Sequence, residues 1–159
     1  MKVLYPQSPG DESTMSHALK IAVAMSGGTD SSMAAHIVRE KGHTPVGITL
    51  RLWPEDSGKS SDNHVANARR VADTIGIPHH VYTLRDCFAE AVVDPFVREY
   101  ASGMTPSPCI VCNARIKFGA MLDKARELGC DTLATGHYAR LVQSANRNRI
   151  VRGLDPSKD

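Results

Sequence analysis

The chain is predicted to form a doubly wound α/β domain, a parallel sheet with helices on both faces. Three observations predict it. Short apolar strand candidates alternate with helical periodicity along most of the sequence, which is typical of repeated parallel βαβ units. Glycine closes several of the helix candidates. At 159 residues and 42% hydrophobic content, the chain has enough apolar side chains for one domain with its own core.

The elements are predicted in order as follows. Strands are expected over residues 21–25, 45–53, 79–84, 131–135 and 149–154, the last as an edge strand. Helices are expected from Asp30 to Gly42, from Asp62 as the N-cap to Gly76, over residues 86–100, and from the region of Cys109 to Gly129. Pro95 predicts a kink in the third helix or its division into two. The polar loop 54–61 is predicted to be mobile.

The heptapeptide Ser26-Gly27-Gly28-Thr29-Asp30-Ser31-Ser32 directly follows the first strand. Strand, glycine turn and helix N-terminus form a geometry that binds phosphate, because unpaired amides and the helix dipole face the anion. The Walker pattern is excluded, since no lysine lies between Lys20 and Lys41, and the dinucleotide fingerprint is excluded because the glycines are adjacent. The remaining pattern, S-G-G-x-D-S, indicates an ATP pyrophosphatase loop, which releases pyrophosphate from ATP. Asp30 either orients the loop or helps to hold Mg²⁺; the alternative is an ordinary Asp/Ser N-cap.

Ligands of doubly wound sheets bind at the carboxyl ends of the strands. This rule predicts that residues 26–32, 50–53 and 136–137 lie at one common edge. Trp53 and Tyr138 either cap the core there or stack on a base.

Cys109 and Cys112 form a C-x-x-C at the entrance of a predicted helix. Helix N-terminal amides, Arg115 and Lys117 are expected to lower the pKa of a thiol at this position. Three roles remain open: a sulfur-handling nucleophile, a redox pair, or two ligands to a metal or iron–sulfur cluster. The other two cysteines, Cys87 and Cys130, are predicted to be buried small hydrophobes.

The remaining composition limits location and partners. Residues 1–18 are predicted to form a flexible extension, with Met15 as an alternative start, and residues 19–159 one domain. Four cysteines without an export signal or a membrane span predict a reducing compartment, the cytoplasm.

The net charge of +2 says little about partners, but residues 140–159 carry five basic and two acidic side chains. That stretch is either a solvated basic strand and turn or an RNA-facing patch.

Two further segments carry a resemblance: T-P-S-P-C-I-V-C-N-A-R-I-K-F at residues 105–118 and A-T-G-H-Y-A-R-L at residues 134–141. Following the S-G-G-T-D-S-S loop in this order, they resemble the tRNA-specific 2-thiouridylases, the MnmA family. The likeness also includes Gly42-His43 and residues 50–53, 76–78 and 154–159. It covers nearly everything from Lys20 onward.

The resemblance implies an ATP-dependent exchange of oxygen for sulfur at C2 of the wobble uridine of tRNA. Adenylation of the uridine oxygen by ATP, with Mg²⁺, is followed by sulfur delivery from a cysteine persulfide, charged by a cysteine desulfurase or a sulfur relay protein. Cys112 matches the catalytic cysteine of the family. The implied nucleotide contacts are Ala24, Met25, Ser26, Gly27, Gly28, Thr29, Asp30, Ser31, Ser32, Leu50 and Gly136. The implied tRNA contacts are Ser107, Pro108, Cys109, His137, Lys158 and Asp159.

The chain departs from the family pattern in two ways. Thr29 stands where the family usually has valine, which keeps a β-branched side chain. Family members also continue past Asp159 through a tRNA-binding region and a barrel-like domain, where the persulfide cysteine lies. Members with that cysteine have been linked to a [4Fe–4S] cluster, for which this chain has two of three ligands, Cys109 and Cys112. We therefore expect ATP binding but little complete thiolation from this chain alone.

Two alternatives remain from the sequence. One is a related ATP pyrophosphatase that adenylates a small carboxylate or amide acceptor and has no need of the cysteine loop. The other is a non-catalytic RNA-binding module that carries a metal or cluster, although only the C-x-x-C points to a metal.

Overall fold

The computed structural model describes residues 18–53, 60–144 and 147–154. The predicted N-terminal extension up to residue 17, loop residues 54–59, Lys158 and Asp159 lie outside the described residues. The described strands are β1 Lys20–Ala24, β2 Thr44–Arg51, β3 His79–Thr83, β4 Thr132–Ala134, β5 Ala139–Ser144 and β6 Arg147–Arg152. The described α-helices are α1 Thr29–Glu40, α2 Ser60–Ile75, α3 Arg85–Phe88, α4 Asp94–Ala101, α5 Pro108–Cys112 and α6 Met121–Glu127, with π-helical segments at Ala89–Val93 and Asn113–Ala120.

Four parallel strands form the central sheet in the order β3-β2-β1-β4. The chain moves outward from β1 through β2 to β3, and then returns to place β4 on the other side of β1. The strand order therefore reverses between β1 and β4, which is the switch point where open α/β sheets bind ligands. The predicted fold class is confirmed.

Alternating side chains of β1 divide the core between the two faces of the sheet. Ile21 and Val23 pack against the apolar sides of α1 and α2. Ala22, on the opposite face, packs with Val46, Ile48 and the buried side of α6. Helices thus cover both faces, as the fold class requires.

The segments between β3 and β4 pack against each other through Phe88, Val92 and Ile116. The predicted interruption near Pro95 is present: a π-helical segment ends at Val93, and Pro95 lies in the first turn of α4. A proline is tolerated there because the first turn of a helix needs no N–H donor. The cysteine helix, defined as residues 108–120, packs on this arrangement through Ile116 and Cys112.

Two boundary predictions were wrong. Helix α2 begins at Ser60, so Asp62 lies within its first turn rather than at the N-cap. The strand predicted over residues 149–154 is β6, which pairs antiparallel with β5 in a separate two-stranded sheet instead of forming an edge of the main sheet. Strands joined by so short a connection can pair only as an antiparallel hairpin. Across the described residues, no helix is long and apolar enough to span a membrane.

Candidate nucleotide site and cysteine helix

A cavity of about 550 Å³ opens at the carboxyl edge of the sheet, at the switch point between β1 and β4. Its walls come from the heptapeptide loop, the end of β2, helix α2, the cysteine helix and the turn after β4. The lining residues are Ala24, Met25, Ser26, Gly28, Thr29, Asp30, Ser31, Thr49, Leu50, Arg51, Leu52, Trp53, His64, Val65, Lys117, Met121, Thr135, Gly136 and His137.

The serines of the heptapeptide loop fix its shape through short hydrogen bonds. Ser31 Oγ donates to the carbonyl of Gly28 at 2.9 Å and accepts the N–H of Ser26 at 3.2 Å, while Ser32 Oγ donates to the same Gly28 carbonyl at 2.9 Å. Gly28 is the N-cap of α1, with no side-chain cap. The alternative of an ordinary Asp/Ser N-cap is therefore wrong. The first turn of α1 lines the cavity and has no side-chain cap, which is the arrangement of an anion site at a helix N-terminus.

Two glycines permit close backbone packing around the loop. Gly27 has φ of 76°, and a Cβ on it would lie 2.6 Å from Cβ of Asn67 in α2. A Cβ on Gly136 would lie 2.8 Å from the amide nitrogen of Ser31 and 2.9 Å from the carbonyl carbon of Asp30. Gly136 thus brings the end of β4 directly against the first turn of α1, and only a residue without a side chain fits there.

A buried hydrogen-bond chain holds the end of β1 beside the cavity. Thr49 Oγ1 donates to the carbonyl of Met25 at 2.8 Å, and His79 Nε2 lies 2.8 Å from the same hydroxyl. Because the hydroxyl proton is used toward Met25, His79 must donate from Nε2. Burial, with smaller contributions from Arg69 and His80, lowers the pKa of His79, while Asp73 opposes the shift. His79 is therefore neutral at pH 7.

Thr49→Val is expected to destabilise the protein by about 1–3 kcal/mol, because the Met25 carbonyl and the His79 Nε2–H both lose their partner in a buried position. The free energy of unfolding from urea titration measures the loss. Thr49→Ser keeps the hydroxyl and serves as the control, with a smaller loss limited to the missing methyl group. Equal destabilisation by valine and serine would contradict the role of the hydrogen bonds.

His137 joins the turn after β4 to the cysteine helix. Its Nδ1 lies 2.7 Å from Thr135 Oγ1, and its Nε2 lies 3.4 Å from Asn113 Oδ1. With Asn113 Oδ1 as the acceptor, Nε2 carries the proton and the Thr135 hydroxyl donates to Nδ1. Burial, followed by the positive charge of Lys117, lowers the pKa of His137. A neutral His137 is thus bonded to the residue that follows Cys112.

Cys112 is half-buried against the Phe88–Val92–Ile116 cluster and does not line the cavity. The expected lowering of its pKa was wrong: burial raises the pKa of Cys112, and the opposing charge of Lys117 does not overcome it. The reason is the packing of Cys112 against Phe88, Val92 and Ile116, which removes the thiol from water and disfavours its charged form. Cys109, one turn earlier, is exposed.

The other two cysteines differ from each other. Cys130 is buried as predicted, and burial raises its pKa. Cys87 is exposed, so the prediction of a buried position was wrong. It lies in the single helical turn of α3, where Phe88 is the residue that faces the core.

Alkylation with iodoacetamide near neutral pH is expected to modify Cys87 and Cys109 at least several-fold faster than Cys112 and Cys130. Burial limits access to the slower pair, and a raised pKa leaves less thiolate at a given pH. Mass spectrometry of peptides after timed quenching gives the four rates. Modification of Cys112 before Cys109 would contradict this burial.

The structure brings most of the predicted nucleotide residues together. Gly27 and Ser32 are the exceptions, because they line a shallow groove between α1 and α2 on the other side of the loop. Ser107, Pro108, Cys109 and Cys112 do not line the cavity. Lining residues that the sequence did not assign include Thr49, His64, Lys117 and Thr135. Lys117 and Thr135 lie within the two motifs at residues 105–118 and 134–141, whereas His64 reaches the cavity only through the packing of α2.

Trp53 packs on the core and stays exposed at the cavity, so its role in stacking on a base stays a prediction. Its ring meets Phe88 edge to face at 5.2 Å between centroids, and it lines the cavity while 53% exposed.

The strand order, the helices on both faces and the uncapped glycine loop at the switch point define an adenine nucleotide alpha hydrolase-like (HUP) α/β domain. The chain belongs to the family described as "tRNA methyl transferase HUP domain", which matches residues 19–159. It is 50% identical to the tRNA-specific 2-thiouridylase MnmA of Moorella thermoacetica over 146 residues, 86% of this chain. It is 46% identical to the MnmA of Clostridium acetobutylicum over 147 residues, 88% of this chain. The resemblance to the 2-thiouridylases is confirmed.

The chain spans 41% of the length of each of these relatives. Among solved structures, a predicted subunit of tRNA methyltransferase from Methanocaldococcus jannaschii aligns with a TM-score of 0.51 and 25% identity, over 88% of this chain and 60% of that one. The U34-tRNA thiolase NcsA from Methanococcus maripaludis, determined with its [4Fe–4S] cluster, aligns with a TM-score of 0.57 and 23% identity, over 80% and 41%. That second likeness supports the fold alone.

Proposed function

We propose that this chain is the adenylating domain of a tRNA-specific 2-thiolation enzyme. The observation that carries the proposal is the cavity at the switch point, where the uncapped glycine loop and the Gly136-His137 turn meet beside the cysteine helix. Relatives up to 50% identical are named tRNA-specific 2-thiouridylases, and they supply the substrate class. A methyl transfer requires neither a loop that releases pyrophosphate from ATP nor the two thiols of the C-x-x-C. We therefore favour thiolation.

ATP binding follows from the cavity walls. The amides of the loop, with the N-terminal dipole of α1, hold the β- and γ-phosphates, and Lys117 offsets their charge. Leu50 and Gly136 provide apolar and backbone surface for the adenine, and Trp53 offers an aromatic ring to a base at the opening. The C2 oxygen of uridine then attacks the α-phosphorus, the bond to the β-phosphate oxygen breaks, and pyrophosphate leaves.

Sulfur transfer follows, because adenylation converts O2 of uridine into a leaving group. The outer sulfur of a cysteine persulfide attacks C2, and AMP departs with the original oxygen. The transferred sulfur then remains bonded to both C2 and the donor cysteine. A second thiolate must attack the donor sulfur, which releases 2-thiouridine and leaves a disulfide between the two cysteines. We assign this second thiolate to Cys112, close to the His137–Asn113 bond.

The raised pKa of Cys112 sets a requirement for this step. A thiol that is mostly protonated at pH 7 needs to lose its proton when the substrate arrives. Among the described residues, the Lys117 ammonium is the charge that favours the thiolate form of Cys112. Movement of Lys117 toward Cys112 after pyrophosphate leaves would lower that pKa at the moment when a nucleophile is needed.

Magnesium fits this site, whereas a cluster does not fit the described residues. Asp30 lines the cavity and supplies the single carboxylate that a phosphate-bound Mg²⁺ typically needs, and the ion neutralises phosphate charge when bound. Among residues 18–53, 60–144 and 147–154, no three His, Cys, Asp or Glu side chains converge on a metal position. Cys109 and Cys112 supply two of the four thiolates that a [4Fe–4S] cluster usually takes, so no step is derived through one.

The remaining assignments belong to the same proposal. Ser107, Pro108, Cys109 and His137 approach the target base, with Lys158 and Asp159 as further tRNA contacts. Residues 19–159 form the catalytic domain, a cysteine desulfurase or relay protein loads the persulfide, and the reaction takes place in the cytoplasm.

The proposal is tested by incubating the chain with an unmodified tRNA transcript that has uridine at the wobble position, in parallel with ATP labelled at the γ-phosphate, which follows pyrophosphate, and with ATP labelled at the α-phosphate, which follows AMP. Pyrophosphate release that requires the tRNA, with AMP attached to the RNA, is the expected result. A transcript with cytidine at the wobble position is the matched control and should release none. ATP binding without tRNA-dependent pyrophosphate release would favour a small-molecule acceptor, and the absence of ATP binding would overturn the proposal.

A further inference from the structure

The hairpin β5–β6, residues 139–154, has an unusual charge distribution. It contains four arginines and neither aspartate nor glutamate. Arg140, Arg147 and Arg149 are exposed, and none of them forms an ion pair with a carboxylate of the described residues. An unneutralised cluster of guanidinium groups attracts a polyanion from solution.

The strand register places these three arginines on one face of the hairpin. Arg140 pairs with Val151, Val142 with Arg149, and Ser144 with Arg147. Directly paired residues of antiparallel strands lie on the same side, and alternate residues along a strand share a face. The opposite face has Asn148, Ile150 and Arg152 in the second strand, so the basic side chains are concentrated on the first.

The position of the hairpin relates this face to the cavity. Strand β5 begins at Ala139, two residues after His137, which lines the cavity, and Ala139 is paired with Arg152 at the base of the hairpin. From Ala139 to Ser144 the strand extends about 17 Å at the usual rise of a β-strand. The arginine face therefore begins at Arg140, three residues after a residue that lines the cavity, and continues along the hairpin.

We infer that this arginine face binds the sugar–phosphate backbone of the RNA whose target base enters the cavity. The inference rests on the proposed function. Guanidinium groups bind phosphate well because each planar group can donate two parallel hydrogen bonds to phosphate oxygens. RNA is favoured over an acidic protein because a single RNA molecule then occupies both the cavity and the surface that starts at its rim.

The test measures binding of the full chain to an unmodified tRNA transcript by fluorescence anisotropy over a range of salt concentrations. In the variant Arg140→Gln/Arg147→Gln/Arg149→Gln, the slope of log affinity against log salt should become shallower by about 2–3, with affinity on the order of 50-fold weaker near 0.15 M salt. The matched control is Arg39→Gln/Arg98→Gln/Arg126→Gln, which removes the same charge from exposed helix positions. It should change affinity by less than about threefold.

A variant with lysine at the three hairpin positions should keep the salt slope and most of the affinity, which distinguishes charge from a general loss of the hairpin. ATP affinity serves as the folding readout and should be equal in all variants. Equal losses in the glutamine variant and the control, or full affinity in the glutamine variant, would overturn the inference and leave the adenylation proposal standing. Displacement by polyglutamate as readily as by RNA would show a surface for acidic proteins and would also overturn it. Failure of tRNA-dependent pyrophosphate release with intact RNA binding would overturn the proposed function instead.

Discussion

Cys112→Ser is expected to abolish formation of 2-thiouridine while leaving ATP binding and tRNA-dependent pyrophosphate release within about twofold of the unchanged chain. The thiol is used only after adenylation, and Cys112 lies outside the cavity walls. Because little complete thiolation is expected from this chain alone, the assay supplies a separate persulfide donor, and the rate of thiolation measured with it should fall by at least ~10³-fold, the order seen when a reacting nucleophile is removed. Analysis of digested nucleosides for 2-thiouridine, in parallel with a pyrophosphate assay, separates the two steps.

Cys109→Ser provides the matched control, because Cys109 precedes Cys112 by three residues on the same helix but is exposed. The Cys109→Ser variant should keep most of the thiolation activity if Cys109 approaches the base without forming a bond to sulfur. Equal loss in both variants would indicate a redox pair or shared ligands. Loss of pyrophosphate release in Cys112→Ser would contradict the order of the two steps.

Gly136→Ala is expected to weaken ATP binding by about tenfold or more and to destabilise the fold by about 1–3 kcal/mol, the usual range for overpacking. The new methyl group would overlap Ser31 and Asp30, and both contacts are backbone atoms that cannot rotate away. Either the first turn of α1 shifts from its position or β4 moves outward. Calorimetric titration with ATP and a thermal melt measure the two effects.

Gly28→Ala is the informative comparison for that variant. Its φ of −89° suits any residue, and the nearest atom to a new Cβ is Ser26 Oγ at 3.5 Å. It should lose less stability than Gly136→Ala, because only the weaker N-cap preference of alanine acts against it, so a large loss of ATP affinity would report crowding of the ligand itself. A Gly136→Ala protein with normal ATP affinity would show that the contact between β4 and α1 does not shape the site.

Much of the fold was predictable because strand order and helix alternation follow from local patterns and a few topological rules. The apolar strand 21–25 and the glycines at 42, 76 and 129 gave correct elements, and each of those glycines has positive φ where a helix ends. The hairpin was not predicted, since β5 resembles an isolated basic strand and its pairing depends on a turn with no strong signal. The start of α2 was missed because Asp62 is an N-cap residue type that lies inside the helix.

The site residues that belong to sequence motifs were predictable, and those that reach the site only through tertiary packing were not. The loop, Leu50 and the Gly136-His137 turn follow from motifs and from the edge rule for parallel sheets. The position of His64 at the cavity depends on how α2 packs. The hydrogen bonds of Thr49 depend on the pairing of β2 with β3. The pKa of Cys112 was predicted in the wrong direction, because its burial against Phe88 comes from a segment more than twenty residues earlier in the chain.

The placement of β4 beside β1 has a consequence for synthesis of the protein. Strands β1 and β2 are neighbours in sequence, but β1 gains its second partner only when residues 132–134 have been made. The N–H of Lys20 is also bonded to Asp131, 111 residues later. At usual rates of translation, the interval between completion of β2 and the emergence of His137 is on the order of ten seconds. During that time the nascent chain has a glycine loop without an opposite wall, so the newly made protein acquires its ligand site only near the end of this segment.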